Sequence, residues 1–206
     1  LDQLGQLDEA IASYDKAIQL NPDFAGAYYN RGITLEQLGQ LDEAIQSFDK
    51  AIQLKPDYAE AYYNRGIVVQ KLGHMLDEAI QSFDKAIQLR PDYADAYNNR
   101  GVTLQDLGRL DEAIASHDKT IQLRPDLAEA YNNRGIVVHE LGHMLDEVLK
   151  NYDKAIQLKP DYAEAYNNRG NTLLEKGHID EALEALDEAI ELKPAFEGPI
   201  IIGELR

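Results

Sequence analysis

Cysteine and tryptophan are both missing from the 206-residue chain. Without thiols there is neither a disulfide framework nor a thiolate metal site, and the redox compartment is left open. No apolar run approaches the roughly 20 residues that span a bilayer, so no membrane partner is expected. Basic residues are scarce, with 20 Lys and Arg against 37 Asp and Glu and a net charge of −17. A nucleic-acid partner needs a basic stripe to release counterions, and none is present. An initiating methionine and a signal peptide are also lacking, and a fragment of a longer protein is the expectation.

Most of the acid has local work. Twelve carboxylates lie in six Leu/Ile-Asp-Glu-Ala/Val turns, six form the series Asp15, Asp49, Asp84, Asp118, Asp153 and Asp187, and five follow a proline. These 23 read as helix caps and solvated faces, so acidity alone says little about a partner.

What the chain has in abundance is a period. Prolines at 22, 56, 91, 125, 160 and 194 are separated by 34, 35, 34, 35 and 34 residues, with nearly the same text between them. Such chains are stacks of one supersecondary unit, each unit burying its apolar face against its neighbours. In residues 57–91, Asp57 with Glu60 predicts a carboxylate capping box for a helix over Ala59 to Leu72, which Gly73 ends as a left-handed residue. Asp77 and Glu78 open a second helix at the favourable end of its dipole. Its buried stripe is Ala79, Ile80, Phe83, Ala86, Ile87 and Leu89, and Arg90 and Pro91 close it.

The residues Tyr62, Arg65-Gly66, Val69, Ala79, Phe83, Ala86 and Pro91 resemble the tetratricopeptide repeat (TPR) family signature of an aromatic, Leu-Gly, a large residue, then Ala, aromatic, Ala and Pro. The resemblance covers 1–196, with a partial unit at 1–24 that enters partway through its first helix, then units 25–58, 59–93, 94–127, 128–162 and 163–196. A short tail, 197–206, follows. It implies an all-α fold, a TPR α-solenoid forming a right-handed superhelix of antiparallel helix pairs. Residues 25–93 and 94–162 also align as 69-residue blocks, each with one extra residue at a Gly-His-Met-Leu turn, Gly73 to Leu76 and Gly142 to Leu145. A duplicated two-unit block accounts for this. So does a cloning remnant at His74-Met75 and His143-Met144, since one common restriction site encodes His-Met.

Departures from the pattern are informative. Arg31, Arg65, Arg100, Arg134 and Arg169 stand where the family has leucine, and are expected to pack their stems between helices with the head on a carboxylate, the alternative being cations in the groove. His117 replaces an inner aromatic, Thr120 an alanine and Val148 a small residue, three expected soft spots in the core. His117 is expected to be a hydrogen-bonded core histidine. His139-Glu140-Leu141-Gly142-His143 fits the H-E-x-x-H zinc signature, which needs both histidines on one continuous helix. Gly142 is the residue that ends the first helix of every unit, so His143 belongs to a turn and neither zinc nor any other cofactor is expected. No phosphate loop, nucleophile elbow or acid/base pair stands out. An enzymatic role is thus confined to some domain outside this sequence.

The resemblance implies that first helices line a concave groove that binds peptides. There the chain repeats Asn30, Asn64, Asn99, Asn133 and Asn168, and a primary amide can donate to one peptide group while accepting from another. This is similar to the asparagine ladder in the TPR domain of the O-linked N-acetylglucosamine transferase. Beside it lie Tyr29, Tyr63, Asn98, Asn132 and Asn167, with Ile33, Ile67, Val102, Ile136 and Asn171 one turn on. Glu60, Asp95, Glu129 and Glu164 are expected to acidify the rim. The cations with which chaperone-binding TPRs clamp a terminal carboxylate are absent from the matching sites. The expected partner is therefore another protein, through an extended, neutral or basic segment, and acidic C-terminal tails are expected to be refused. The competing expectation is self-assembly through uncapped ends, with Pro199 to Ile202 a poor cover.

Overall fold

A computed structural model describes residues 3–194 of the chain. Among the described residues it is all-helical, with α1 Gln3–Leu20, α2 Ala25–Gln37, α3 Leu41–Leu54, α4 Ala59–Leu72, α5 Leu76–Leu89, α6 Ala94–Asp106, α7 Leu110–Leu123, α8 Ala128–Glu140, α9 Leu145–Leu158, α10 Ala163–Lys176 and α11 Ile179–Leu192. The chain forms two compact units, Leu1–Leu107 and Gly108–Arg206. In the first, α2 packs on α3, α4 on α5, and each pair on the next; in the second, α8 packs on α9 and α10 on α11. That is the helix-pair stacking of a TPR solenoid within each unit. Residues 195–206, and with them the expected tail and end cover, lie outside the described residues.

The cores follow the sequence stripe. In the first unit Phe48 and Phe83 are fully buried, Phe48 with Leu35, Ala44 and Val68 and Phe83 with Val69 and Ala79. Burying one such ring contributes about 1.5–3 kcal/mol. The rings dictate glycine opposite them. A Cβ on Gly66 would sit 2.6 Å from the Phe83 ring, closer than any real contact. In the second unit Tyr152 packs on Val138 and Val148, and Leu149 on Leu173 and Ala182. Val148, an expected soft spot, is thus fully enclosed.

Turn chemistry departs from expectation. Gly73 does end α4 in the left-handed region at φ 74°, as the sequence predicts. The capping box does not form: α4 is capped at Tyr58, and no helix from α2 to α11 has a side-chain cap hydrogen bond. Backbone turns take its place, Tyr58 N–H donating to Lys55 O and Ala61 N–H to Tyr58 O. Nor do Leu4 and Gly5 form the end of a separate first helix. They run on into α1 without a turn.

His117 corrects another expectation. It is fully buried on α7, and neither ring nitrogen has a hydrogen-bond partner. Burial depresses its pKa to about 4, so the ring is neutral. Thr120, one turn on, is satisfied by donating to Ser116 O at 3.0 Å.

Candidate functional site

The face to be built is that of the first helices, α2, α4 and α6 in one unit, α8 and α10 in the other. The arginines leave it first. Arg31 Nε lies 2.8 Å from Asp15, Arg65 2.6 Å from Asp49, Arg100 2.6 Å from Asp84, Arg134 2.6 Å from Asp118 and Arg169 2.7 Å from Asp153. Each pair joins a first helix to the second helix of the preceding repeat across 16 residues. Arg65 also donates to Ser82 at 2.9 Å and pairs with Glu78. The guanidiniums are structural ties and not groove cations. The aspartate series, expected as caps and solvated faces, supplies their partners.

In the first unit the asparagines are tied to tyrosines. Asn64 Nδ2 donates to Tyr29 Oη at 2.9 Å, and Asn99 Nδ2 repeats the bond to Tyr63 Oη at 3.1 Å one repeat later. Asn30, on α2, is exposed. The side-chain carbonyls of Asn64 and Asn99 accept nothing from the described residues, so each amide is held by one N–H with its oxygen and other N–H uncommitted. Tyr29 stacks on Tyr58 with centroids 4.8 Å apart and Tyr63 on Tyr93 at 4.7 Å. Lys55 Nζ lies 4.4 Å over Tyr58, and Arg90 Cζ 3.3 Å over Tyr93. Desolvation raises the pKa values of Tyr29 and Tyr58 and pushes Tyr93 up to about 12, so these hydroxyls stay protonated. Ile33 and Ile67 are half-buried against the Phe48 and Phe83 clusters, and Val102 and Asn98 are half-buried on α6.

The second unit ties amide to amide. Asn168 Nδ2 donates to Asn132 Oδ1 at 3.0 Å. Asn132 and Asn167 are each only 4% exposed, which places them between repeats and not on an open surface. Asn167 Oδ1 and Asn171 Oδ1 are buried with no partner. Asn133 is half-buried on α8, and Ile136 packs on the Val138 cluster.

Three of the rim acids are not free. Glu60 pairs with Arg90 at 2.7 Å, Glu129 with Lys159 at 3.0 Å and Glu164 with Lys193 at 3.1 Å, each cation standing at the end of the same repeat's second helix. The backbone amide of Glu164 and then Lys193 hold that carboxyl below its usual range. Asp95 is also engaged. Sequence reasoning missed Tyr58 and Tyr93 as neighbours of the ladder. The signal was the large apolar residue after each Pro-Asp: Phe24, Tyr58, Tyr93, Leu127 and Tyr162.

The H-E-x-x-H stretch is split by its glycine. His139 ends α8 with Nε2 2.9 Å from Glu175, Gly142 turns the chain at φ 75°, and His143 Nδ1 lies 3.5 Å from Glu147 on α9. The imidazoles thus engage carboxylates on different helices. Among the described residues no three His, Cys, Asp or Glu are grouped to hold a metal, and no helix is long and apolar enough to cross a membrane.

Comparison with known proteins agrees with this geometry. A family model described as "TPR repeat" matches residues 3–39, 34–73, 76–108, 106–142 and 145–177, and one described as "Tetratricopeptide repeat" matches 163–196. Among solved structures, YrrB, described as "a TPR protein with an unusual peptide-binding site", is 31% identical with a TM-score of 0.71, over 88% of this chain and 93% of its own. MamA is 27% identical with a TM-score of 0.72, over 79% of this chain and 94% of its own. A thermophilic TPR protein in Thermus thermophilus shares the fold at 24% identity and a TM-score of 0.66, over 83% of this chain and 92% of its own. No curated protein sequence matches significantly.

Proposed function

The chain belongs to the tetratricopeptide repeat family, and on that footing we propose that it is a non-enzymatic protein-interaction scaffold whose first-helix faces hold an extended peptide or partner segment. One observation carries this reading. Asn64 and Asn99 are oriented by a single N–H each and keep an acceptor and a second donor uncommitted. An amide fixed in this way has lost its rotamer entropy before a ligand arrives, and can accept from one peptide N–H while donating to a peptide C=O. Asn168 is fixed similarly on Asn132. The peptide-binding site ascribed to YrrB is consistent with this use.

The partner segment is neutral or basic. The cations beside the face, Lys55 and Arg90, are packed on tyrosine rings. Their occupation leaves no clamp for a terminal carboxylate. The test is an array of extended peptides read by fluorescence anisotropy, with Asn64→Ala/Asn99→Ala against Tyr29→Phe/Tyr63→Phe. The asparagine changes are expected to weaken binding about tenfold, the tyrosine changes two- to threefold, because the latter loosen the amide but leave it in place. Equal binding by the asparagine variant, or a preference for acidic peptides, would defeat the reading.

A further inference from the structure

The arginine ties of the two units are completed differently. In the first unit Arg65 sits among three acceptors, Nε donating to Asp49 at 2.6 Å, Nη1 to Ser82 at 2.9 Å and Nη2 to Glu78. In the second unit a cleft of about 460 Å³ among α9, α10 and α11 is lined by Arg169, Lys150, Lys176 and His178 with three carboxylates. There Arg169 Nε donates to Asp153 at 2.7 Å, and among the described residues its Nη1 and Nη2 have no partner. Two sequence changes empty this fork. Ala185 stands at the place of Ser82, and Glu181, at the place of Glu78, accepts from His178 Nδ1 at 2.9 Å. Elsewhere the Nη1 slot is filled, by Ser47 on Arg31 and by Asn151 on Arg134.

The rest of the lining adds a second donor. Lys150 is exposed on α9 where α3 has Gln46, and among the described residues it forms no hydrogen bond or ion pair. Its charge reaches Asp146, whose carboxyl is held below the usual range by Lys176 first and by Lys150 behind it. The carboxylates of the cleft are already met, Asp153 by Arg169 Nε, Asp146 by Lys176 at 2.5 Å and Glu181 by His178. What is left over is two guanidinium nitrogens and an ammonium, all donors and both groups cationic. The edge of a planar guanidinium matches the two oxygens of a carboxylate. The first unit shows such a group in place, Glu78 on Arg65. We propose that the cleft among α9, α10 and α11 docks an Asp or Glu side chain of a partner protein, its carboxylate taking on Arg169 Nη1 and Nη2 the places that Ser82 and Glu78 hold on Arg65, with Lys150 as counter-ion. None of the lining residues belongs to the asparagine ladder, so this site stands apart from the peptide-binding reading.

The experiment titrates the whole isotope-labelled chain at low salt, where ion pairs are least screened, and follows the Arg169 Nε–H signal by NMR. The probes are the α-amide of N-acetylglutamate, its neutral N-acetylglutamine counterpart and inorganic phosphate. The glutamate derivative is expected to shift the Arg169 signal and to bind at least about tenfold tighter than the glutamine derivative, since only the former makes charge-assisted bonds. Ala185→Ser, which returns an internal acceptor to the Nη1 slot, and Lys150→Gln are each expected to weaken it about three- to fivefold. Each installs the residue that another repeat carries at the same place, Ser82 and Gln46, so the fold is kept. Neither touches Asn64 or Asn99, and binding on the first-helix face is expected to stay unchanged. An Arg169 signal that does not move, equal binding of the neutral derivative, or carboxylate binding unaffected by both substitutions would overturn the site. Phosphate bound about tenfold or more tighter than the glutamate derivative would overturn its assignment to a carboxylate.

Discussion

The two units build the same helix pairs with different chemistry in the same places. In the first, Phe48 and Phe83 fill the wedge between helices and the asparagines bond to tyrosine hydroxyls. In the second, His117, Tyr152 and Leu186 take the wedge and an asparagine bonds to an asparagine. The backbone barely registers the exchange, since helix bounds repeat throughout. The repeat therefore fixes shape, while stability and recognition are set locally by what each copy places at a few positions.

The steric part of that contrast carries the largest effect. Gly66→Val in the first unit meets the rigid, fully buried Phe83 ring at 2.6 Å from the new Cβ. Overpacking of this kind is expected to cost about 3 kcal/mol. In the second unit Gly170→Val meets Leu186 Cγ at the same 2.6 Å and the Ala182 carbonyl oxygen at 3.3 Å, and a leucine can change rotamer where a phenyl ring cannot, so about 1–2 kcal/mol is expected. Native-state hydrogen exchange, which resolves the units separately, measures both. Equal losses would break the contrast between a rigid aromatic wedge and an aliphatic one.

The polar part is read by pH. His117 has an ordinary value near 6.5 when unfolded and about 4 when buried. The folded pKa is depressed for a base, so the unfolded chain binds more protons below 6.5, and the stability is present above that pH and lost as pH falls toward 4. The loss by pH 5 is about 2 kcal/mol, confined to the second unit. His117→Phe with Thr120→Ala, which restores the residues of the Phe83 and Ala86 positions, is expected to remove this dependence between pH 6.5 and 5. It also raises stability at pH 7 by about 1–2 kcal/mol, since two buried ring nitrogens no longer go unbonded. A second unit as acid-sensitive as before, or one less stable at pH 7, counts against the assignment.

Much of this architecture is legible in the residues. Ala59 and Leu72 bound α4 as the apolar run and Gly73 indicate, and Gly142 splits the zinc-like motif because the same glycine ends each first helix. What is not legible depends on neighbours. Residues 3–11 and 37–45 are the same nine letters, yet the first copy is one continuous helix and the second turns at Gly39 with φ 75°. Glycine permits the turn; packing of α2 back on α3 is what enforces it. The asparagine ties were equally hidden, because they depend on how one repeat registers on the next. The Tyr58 and Tyr93 rings reach the face only through that stacking. The Asp15 to Asp153 series reads as surface until the 16-residue step to an arginine is seen in three dimensions.

The smallest effect tests the ties themselves. Asn64→Ala removes the bond to Tyr29 Oη, but that hydroxyl belongs to a half-buried ring and can turn to water. A cost of about 0.5 kcal/mol is expected, the net worth of one replaceable hydrogen bond. Asn168→Ala removes the bond to Asn132 Oδ1, whose residue is 4% exposed and has little access to a substitute donor. Stranding a buried acceptor costs more than losing an exposed one, and about 1–2 kcal/mol is expected. Urea unfolding of the two variants, with hydrogen exchange to assign the affected repeat, compares them directly. A larger loss for Asn64→Ala would mean that the tyrosine ties hold the first unit together as firmly as its phenylalanines do. The smaller loss expected here leaves those amides held just firmly enough to be aimed, and still available to a ligand.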